Sequence, residues 1–268
     1  MDYYKKSNKI RKMILAMHNA AQTSHIGSAF SCVDILTALY FAVLKINPKD
    51  PLNKKRDRFI LSKGHAISAL YATLAEKKFF PEILLKQYCC NGGLLPGHAT
   101  RGSVPGVEAS TGSLGHGLPI GSGIAFAGKA DGFNYRVFVL MSDGECNEGS
   151  VWEAALFAAQ HQLDNLVGII DYNKLQGFGS TKDILELEPL KDKWLSFGWA
   201  VKEVDGHDHE KVIKILQKTP IKKNKPNLII AHTVKGKGVP FMENKMEWHY
   251  KSTNSDQYKE ALAQLNLL

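Results

Sequence analysis

Over the first forty-five or so residues, apolar side chains return every three or four positions, and that spacing predicts helix. In MDYYKKSNKIRKMILAMHNAA, Ile10, Ile14 and Met17 share one side of an amphipathic pattern, which continues as helix from about residue 9 to 45. NPKDPLNKKRDRFILS then leads a charged turn into a short apolar strand at Arg58 to Leu61, and a helix fits Ala66 to Lys77. Beyond a glycine-rich stretch the pattern becomes a regular alternation. YRVFVLM is a strand, EGSVWEAALFAAQHQ a helix and NLVGIID a strand; a helix near Leu190 to Phe197 then leads to strand WAVKEV, helix HEKVIKILQK and strand NLIIAH. Strands alternating with helices of this length predict βαβ units, and unbroken apolar strands predict a mainly parallel sheet buried on both faces. The expected fold class is therefore α/β, with three layers, α/β/α.

Eleven of the 23 glycines lie between Gly92 and Gly128. That stretch keeps Leu, Val and Pro beside its glycines and runs into an apolar helix, so it reads as packed backbone that turns tightly and approaches something closely. With no low-complexity segment, repeat or linker, the expected organisation is one domain over 1–268. Its parts are a helical and loop region to 110, a parallel core over 111–240 and a tail over 241–268.

Composition narrows the class without naming a chemistry. The chain is 44% hydrophobic and 22% charged, ordinary for a globular protein. No apolar run approaches a membrane span of roughly 20 residues, and the N-terminus lacks a secretory pattern. Cys32, Cys89, Cys90 and Cys146 form no CxxC pair, which argues against zinc or a dithiol site and points to a reducing compartment, the cytoplasm. The net charge of +8 is spread along the chain, with a local excess from Lys211 to Lys237 that has little aromatic interleaving. It reads as a solvated lysine-rich surface before it reads as a nucleic-acid site.

The informative chemistry is a pair of oxygen donors. Asp143 follows one strand and Asn173 the next, with a single helical crossover between them. Ligands of open α/β sheets sit beyond the carboxyl ends of the strands, so the two side chains emerge together if their strands are neighbours. One carboxylate and one amide are too few for a calcium cage, and no His or Cys accompanies them to suit zinc. Magnesium keeps waters and shares its octahedron with phosphates, which fits a magnesium–pyrophosphate clamp facing the Gly144 turn and the helix start near Glu148. A bland alternative stands beside it: Asp143 as a turn residue and Asn173 as a cap.

These residues also carry a resemblance. SDGECNEGSVWEAALFAAQHQLDNLVGIIDYNK resembles the thiamine diphosphate motif of the transketolase family, which opens with Gly-Asp-Gly and closes with a double Asn or its Asp-Asn-Lys variant. SHIGSAFSCVDIL and RDRFILSKGHAISALYATL resemble the family's two histidine loops. PGHATRGSVPGVEASTGSLGHGL resembles its GH and TGSLGQG elements, and AHTVKGKGVPFMENKMEWH the end of its first domain. The match is nearest to the N-terminal, pyrophosphate-binding chain of split transketolases.

The resemblance implies roles residue by residue. Asp143 and Asn173 would bind Mg2+, or another divalent cation, through side chains and Leu175 through its carbonyl. Gly144 and Glu145 would meet the diphosphate through backbone N–H, and Gly112, Ser113 and Leu114 would line the pyrimidine end. His65 and His249 would contact the diphosphate, while His25 and His98 would face sugar oxygens near the reactive carbon, work that imidazole suits. Glu148 would sit at the contact between two active sites. Two positions depart from the family: Ser142 stands for the first Gly of the motif, and His116 for a Gln. His18, His161, His207, His209 and His232 match no motif and receive no role. GIAFAGKA spells GxxxxGK, but Ala130 follows where a P-loop needs a hydroxyl, and the segment reads as a helix before a strand.

The family implies thiamine diphosphate as cofactor and, for a partner, a C-terminal, pyrimidine-binding subunit, since nothing after Asn244 resembles that second domain. A heterotetramer is expected, moving a two-carbon ketol unit from a ketose phosphate to an aldose, with no membrane or nucleic acid involved. The alternatives are another thiamine-dependent component, of deoxyxylulose-phosphate synthase or 2-oxo acid decarboxylase or dehydrogenase type, and a non-catalytic relative that binds nucleic acid or a scaffold.

Overall fold

The computed structural model describes residues 1–267. The first helices are α1 (Tyr3–Ala21), α2 (Ile26–Ser31) and α3 (Val33–Ala38), whose end widens into a π turn over Leu39–Val43. Strand β1 (Arg58–Leu61) and helix α4 (Ile67–Glu76) precede the glycine-rich stretch, which ends in α5 (Gly117–Ala130). The alternation follows as β2 (Val137–Ser142), α6 (Gly149–Gln160), β3 (Leu166–Tyr172), the short α7 (Thr181–Ile184), α8 (Leu190–Ser196), β4 (Ala200–Asp205), α9 (His209–Gln217) and β5 (Asn227–His232). Helix α10 (Ser255–Leu267) returns to pack on α1.

The five strands form one sheet in the order β1-β2-β3-β5-β4, and every pairing is parallel. The burial pattern along β2 and β3 is continuous, as the apolar runs require. Alternate residues feed two cores. Phe138, Leu140, Val167 and Ile169 face the core built with α1 to α4, α9 and α10. Val137, Val139, Met141, Leu166 and Ile170 face the core of α5, α6 and α8, where Trp194 and Trp199 are fully buried. Helices α5, α6 and α8, which lead into β2, β3 and β4, thus pack on one face, and α9, which leads back to β5, packs on the other together with α4, which keeps the crossovers right-handed.

Local chemistry sets the ends of the elements. Asp2 caps α1 by accepting from Lys5 N at 3.0 Å, and Asp208 caps α9 by accepting from Lys211 N at 3.0 Å. The GxxxxGK segment lies inside α5, a helix that runs into β2. The glycines of α5 let it lie close on the sheet: a Cβ on Gly121 would stand 2.4 Å from Val139 Cγ2. Charged Lys202 and Glu203 stay exposed on β4, the edge strand. Among the described residues, no helix is long and apolar enough to cross a membrane.

The Gly121 contact generates a prediction. Gly121→Ala gains helix propensity yet forces α5 off β2, and the overpacking lowers stability by about 1–3 kcal/mol in urea unfolding of the full chain. An unchanged or raised midpoint would mean that α5 shifts freely on the sheet.

Candidate functional site

The pairing of β2 with β3 sets Ser142 opposite Asp171. Asp143 and Asn173 therefore leave adjacent strand ends, and Lys174 N donates to Asp143 Oδ2 at 2.5 Å, tying the two loops together. Asp143 Oδ1 accepts from Gly144 N at 2.7 Å, and Asn173 Oδ1 accepts from Leu175 N at 3.1 Å. The turn roles foreseen as the bland alternative are thus present. They also aim the oxygens, and each oxygen retains a further lone pair. Gly144 packs closely on Gln176, whose side chain would have to shift to admit a Cβ there, 2.8 Å from Cγ.

A cavity of about 690 Å³ opens on this corner. Its wall includes Asp143, Gly144, Asn173 and Leu175, the histidines His25, His65, His98 and His249, and also Gly112, Leu114 and Glu148. His25 is the hub of the histidines, with ring centroids 5.2 Å from His65, 5.8 Å from His98 and 5.0 Å from His249. Its backbone N–H donates to the His249 carbonyl at 2.9 Å, which joins the N-terminal loop to the tail. His25 adopts a left-handed φ of 79°, an uncommon conformation for a non-glycine residue and one that recurs at functional sites. A more apolar groove of about 860 Å³ lies along α1 and residues 82–87, away from this cluster.

Two of the expected residues stand off the wall. Ser113 is exposed and does not line the cavity. Glu145 is fully buried and turns its carboxylate inward, accepting from the Ser62 hydroxyl, from Gly115 N at 2.8 Å and from Ser142 N at 3.2 Å. Its side chain thus binds the motif turn to the glycine-rich loop. Ser142 fits as the last residue of β2, so the missing glycine costs no special conformation there. Glu148 is exposed at the start of α6 and makes no capping hydrogen bond with its side chain. His116 is exposed, its Nδ1 3.0 Å from the Leu114 carbonyl oxygen.

Sequence patterning missed two lysines. Lys63, buried at the end of β1, reaches over β2 to form an ion pair with Asp171 and donates to the Ser28 carbonyl at 3.0 Å. Asp171 also accepts from Ser31 Oγ at 2.5 Å and from the Thr233 hydroxyl. Burial alone would push Asp171 up; the Lys63 ammonium and these hydroxyls more than reverse it, so the carboxyl stays below its ordinary range. Lys235 donates from Nζ to the Leu175 and Gln176 carbonyls, each at 3.2 Å, and lies 3.0 Å from His249 Nδ1. The only signal along the sequence was that both lysines are charges inside motif loops.

The electrostatics suit an anion held through a cation. Burial, with Asp171 nearby, pushes Asp143 up to about 6, against the lowering effect of the Gly144 and Lys174 N–H groups and of Lys63. A buried carboxylate so poorly matched by positive charge fits a divalent ion, and the Lys235 ammonium on the Leu175 carbonyl marks that oxygen as one that receives a cation. Burial, reinforced by neighbouring positive charge, pulls His25 down to about 4, His249 down to about 3 and His65 well below its usual range. At neutral pH these three imidazoles are uncharged, each with one donor and one acceptor nitrogen. Burial and Lys63 lower Lys235 to about 8, so it stays largely cationic. No group of three or more His, Cys, Asp or Glu forms a metal cage among the described residues; the corner instead offers a carboxylate, an amide oxygen and a carbonyl.

Comparison with known proteins shows the family of the chain. The family model for the transketolase thiamine diphosphate binding domain matches residues 4–267. The chain is 44% identical over 260 residues to an apulose-4-phosphate transketolase subunit of Phocaeicola vulgatus, covering 97% of this chain and 92% of that one. It is 39% identical over 265 residues to a 6-deoxy-6-sulfo-D-fructose transketolase subunit of Clostridium sp., covering 99% and 96%. The structure superposes on transketolase from Leishmania mexicana with a TM-score of 0.92 at 29% identity. That match covers 99% of this chain and 41% of the other, so the chain spans about two fifths of that solved enzyme.

The buried ion pair yields a prediction about the frame of the site. Lys63→Met leaves the Asp171 carboxylate buried without its counter-charge and lowers stability by about 3–5 kcal/mol, whereas Lys63→Met with Asp171→Leu recovers much of the loss. Equilibrium denaturation of the two variants measures the difference; equal stability would show that the pair is already neutral.

Proposed function

Because this chain belongs to the transketolase family, in its thiamine diphosphate binding domain, we propose that it is the pyrophosphate-binding subunit of a split transketolase. With a partner supplying the pyrimidine-binding domain, it would transfer a two-carbon ketol unit from a ketose phosphate to an aldose. The observation that carries this reading is the corner at the ends of β2 and β3, where Asp143, Asn173 and the Leu175 carbonyl meet beside four histidines. The near full-length match to two transketolase subunits supports the split arrangement.

In this reading Asp143, Asn173 and Leu175 hold Mg2+ or another divalent cation against the diphosphate. Gly144 lets the backbone approach that anion, with the Glu145 N–H beside it, and His65 and His249 donate hydrogen bonds to it. Lys235 adds positive charge at the same corner. Gly112 and Leu114 flank the pyrimidine end, with Ser113 between them on the rim. Thiamine diphosphate, when bound, supplies the nucleophilic carbon and electron sink that ketol transfer needs. His25 and His98 face the sugar oxygens; His25, held uncharged by burial, offers them one donor and one acceptor nitrogen at neutral pH.

Assembly follows from the same surface. Ile120 and Phe126 of α5 and Leu156 and Phe157 of α6 are exposed apolar side chains on the helices that lead away from the site, and Glu148 stands at its rim. They support a heterotetramer with cofactor sites at its interfaces, Glu148 contacting its counterpart across the assembly. The chain would be a single domain working in the cytoplasm, where its four cysteines stay free, as they are in the structure.

Three outcomes are expected. The purified chain alone shows no ketol transfer from a ketose phosphate, and activity appears once the pyrimidine-binding partner is added; turnover by the chain unaided would refute the split assignment. Asp143→Ala and Asn173→Leu keep the fold by circular dichroism but abolish magnesium-dependent cofactor binding in calorimetry of the assembled enzyme, and undiminished affinity would reject the clamp. Protons compete with the metal for Asp143. Affinity therefore falls as pH drops through about 6, by up to about tenfold per unit for one proton. Asp143→Asn loses that component, which separates it from titration of the cofactor's own phosphate.

A further inference from the structure

His207 matches no motif and lies off the cavity wall, in the turn between β4 and α9. Its ring nevertheless bridges two elements. Nδ1 lies 2.6 Å from Asp34 Oδ2 on α3, and Nε2 accepts from the backbone N–H of Val234 at 2.9 Å. Asp34 is also gripped by Arg11, with NH1 at 3.0 Å from Oδ1 and NH2 at 2.7 Å from Oδ2, so it is an ionised acceptor. Both partners thus dictate one tautomer: the proton sits on Nδ1, facing the carboxylate, and the lone pair on Nε2, facing Val234.

Val234 immediately precedes Lys235, whose ammonium lies on the Leu175 and Gln176 carbonyls and beside His249. The segment leaving β5 is fastened at several points, among them Thr233 N–H to the Tyr172 carbonyl at 3.1 Å and Asn244 N–H to the Lys235 carbonyl at 2.9 Å. The Thr233 hydroxyl donates to Asp171, Val234 N–H to His207, and Gly236 N–H to the Gly27 carbonyl at 3.0 Å. The 205–208 turn lies close against this segment because residue 206 is glycine; a Cβ there would stand 2.5 Å from Thr233 Cγ2. We propose that His207 is a positioning residue, which uses its Asp34-oriented imidazole to fix the Val234 backbone and thereby place Lys235 at the diphosphate corner. The assignment rests on the cofactor reading for its consequence, but the hydrogen bond itself does not.

The two nitrogens can be separated by substitution. His207→Gln puts an amide oxygen near Nε2 and can still accept from Val234, whereas His207→Asn puts an amide donor near Nδ1, keeping Asp34 satisfied and leaving Val234 N–H without its acceptor. Positioning predicts that Gln keeps thiamine diphosphate affinity within about threefold of the unmodified assembled enzyme. Asn and Ala lose about tenfold or more by calorimetry with Mg2+ present. Amide hydrogen exchange over 233–236 in the full chain should rise in Asn and Ala and stay near normal in Gln. A purely structural role in satisfying Asp34 predicts the reverse order. Asn behaving as the unmodified protein, Gln as poorly as Ala, or exchange unmoved in all three would overturn the proposal. Should the variants fail to fold, 15N NMR of the unmodified chain decides, because a ring protonated on Nε2 is incompatible with it. If no protein binds thiamine diphosphate at all, the cofactor reading fails, while exchange and tautomer still judge His207.

Discussion

The parallel pairing of β2 with β3 is the constraint on which the site depends. Two strands running side by side in one direction must release their chains at the same edge, so the loops after Ser142 and Tyr172 share one corner. Asp143 and Asn173 meet there although a whole helix separates them along the chain. The backbone bonds that aim them, Lys174 N and Gly144 N to Asp143 and Leu175 N to Asn173, are local consequences of that proximity.

Around the corner, each charge has a distinct assignment. The buried Lys63 and Asp171 neutralise one another and brace two further segments, α2 through Ser28 and Ser31 and the loop after β5 through Thr233. An ion pair of this kind adds little net stability compared with apolar packing, but it fixes geometry at a place where several loops converge. Asp143 remains a buried carboxylate in need of a cation, and three partly buried histidines remain uncharged. The result is a pocket whose polar groups are arranged in advance, with low reorganisation cost when an anion and its metal enter.

Behind the cavity wall lies a further set of polar contacts. Asp34 gathers Arg11, His207 and His209 in the core between α1, α3 and the turn before α9, and passes that order to Val234 through one imidazole. The apolar faces of α5 and α6 on the other side of the site remain exposed in the single chain, and so does Glu148. Rigid interior support with an uncovered outer face is what a polypeptide needs if its active site is completed by another.

The chain's own pattern determined the fold class and most element boundaries, because periodicity reports burial along a single element. The strand NLIIAH is Asn227–His232, and the helix expected at Leu190 to Phe197 is Leu190–Ser196. It also put Asp143 and Asn173 at successive strand ends, since residues that end strands in an α/β sheet have few places to go, whereas the four motif histidines were legible only through the family resemblance. Only the tertiary structure decided which partners side chains from distant segments find. Glu145 looks like a site residue in its motif yet turns inward to Ser62 and Gly115, and Ser113 faces solvent, because the path of the glycine-rich loop is set by packing against α5 and α6. Lys63, Asp171, Lys235 and His207 carry no periodic signal; each acquires its role from a partner far away along the chain. Such pairings depend on strand order and register, which local spacing does not encode.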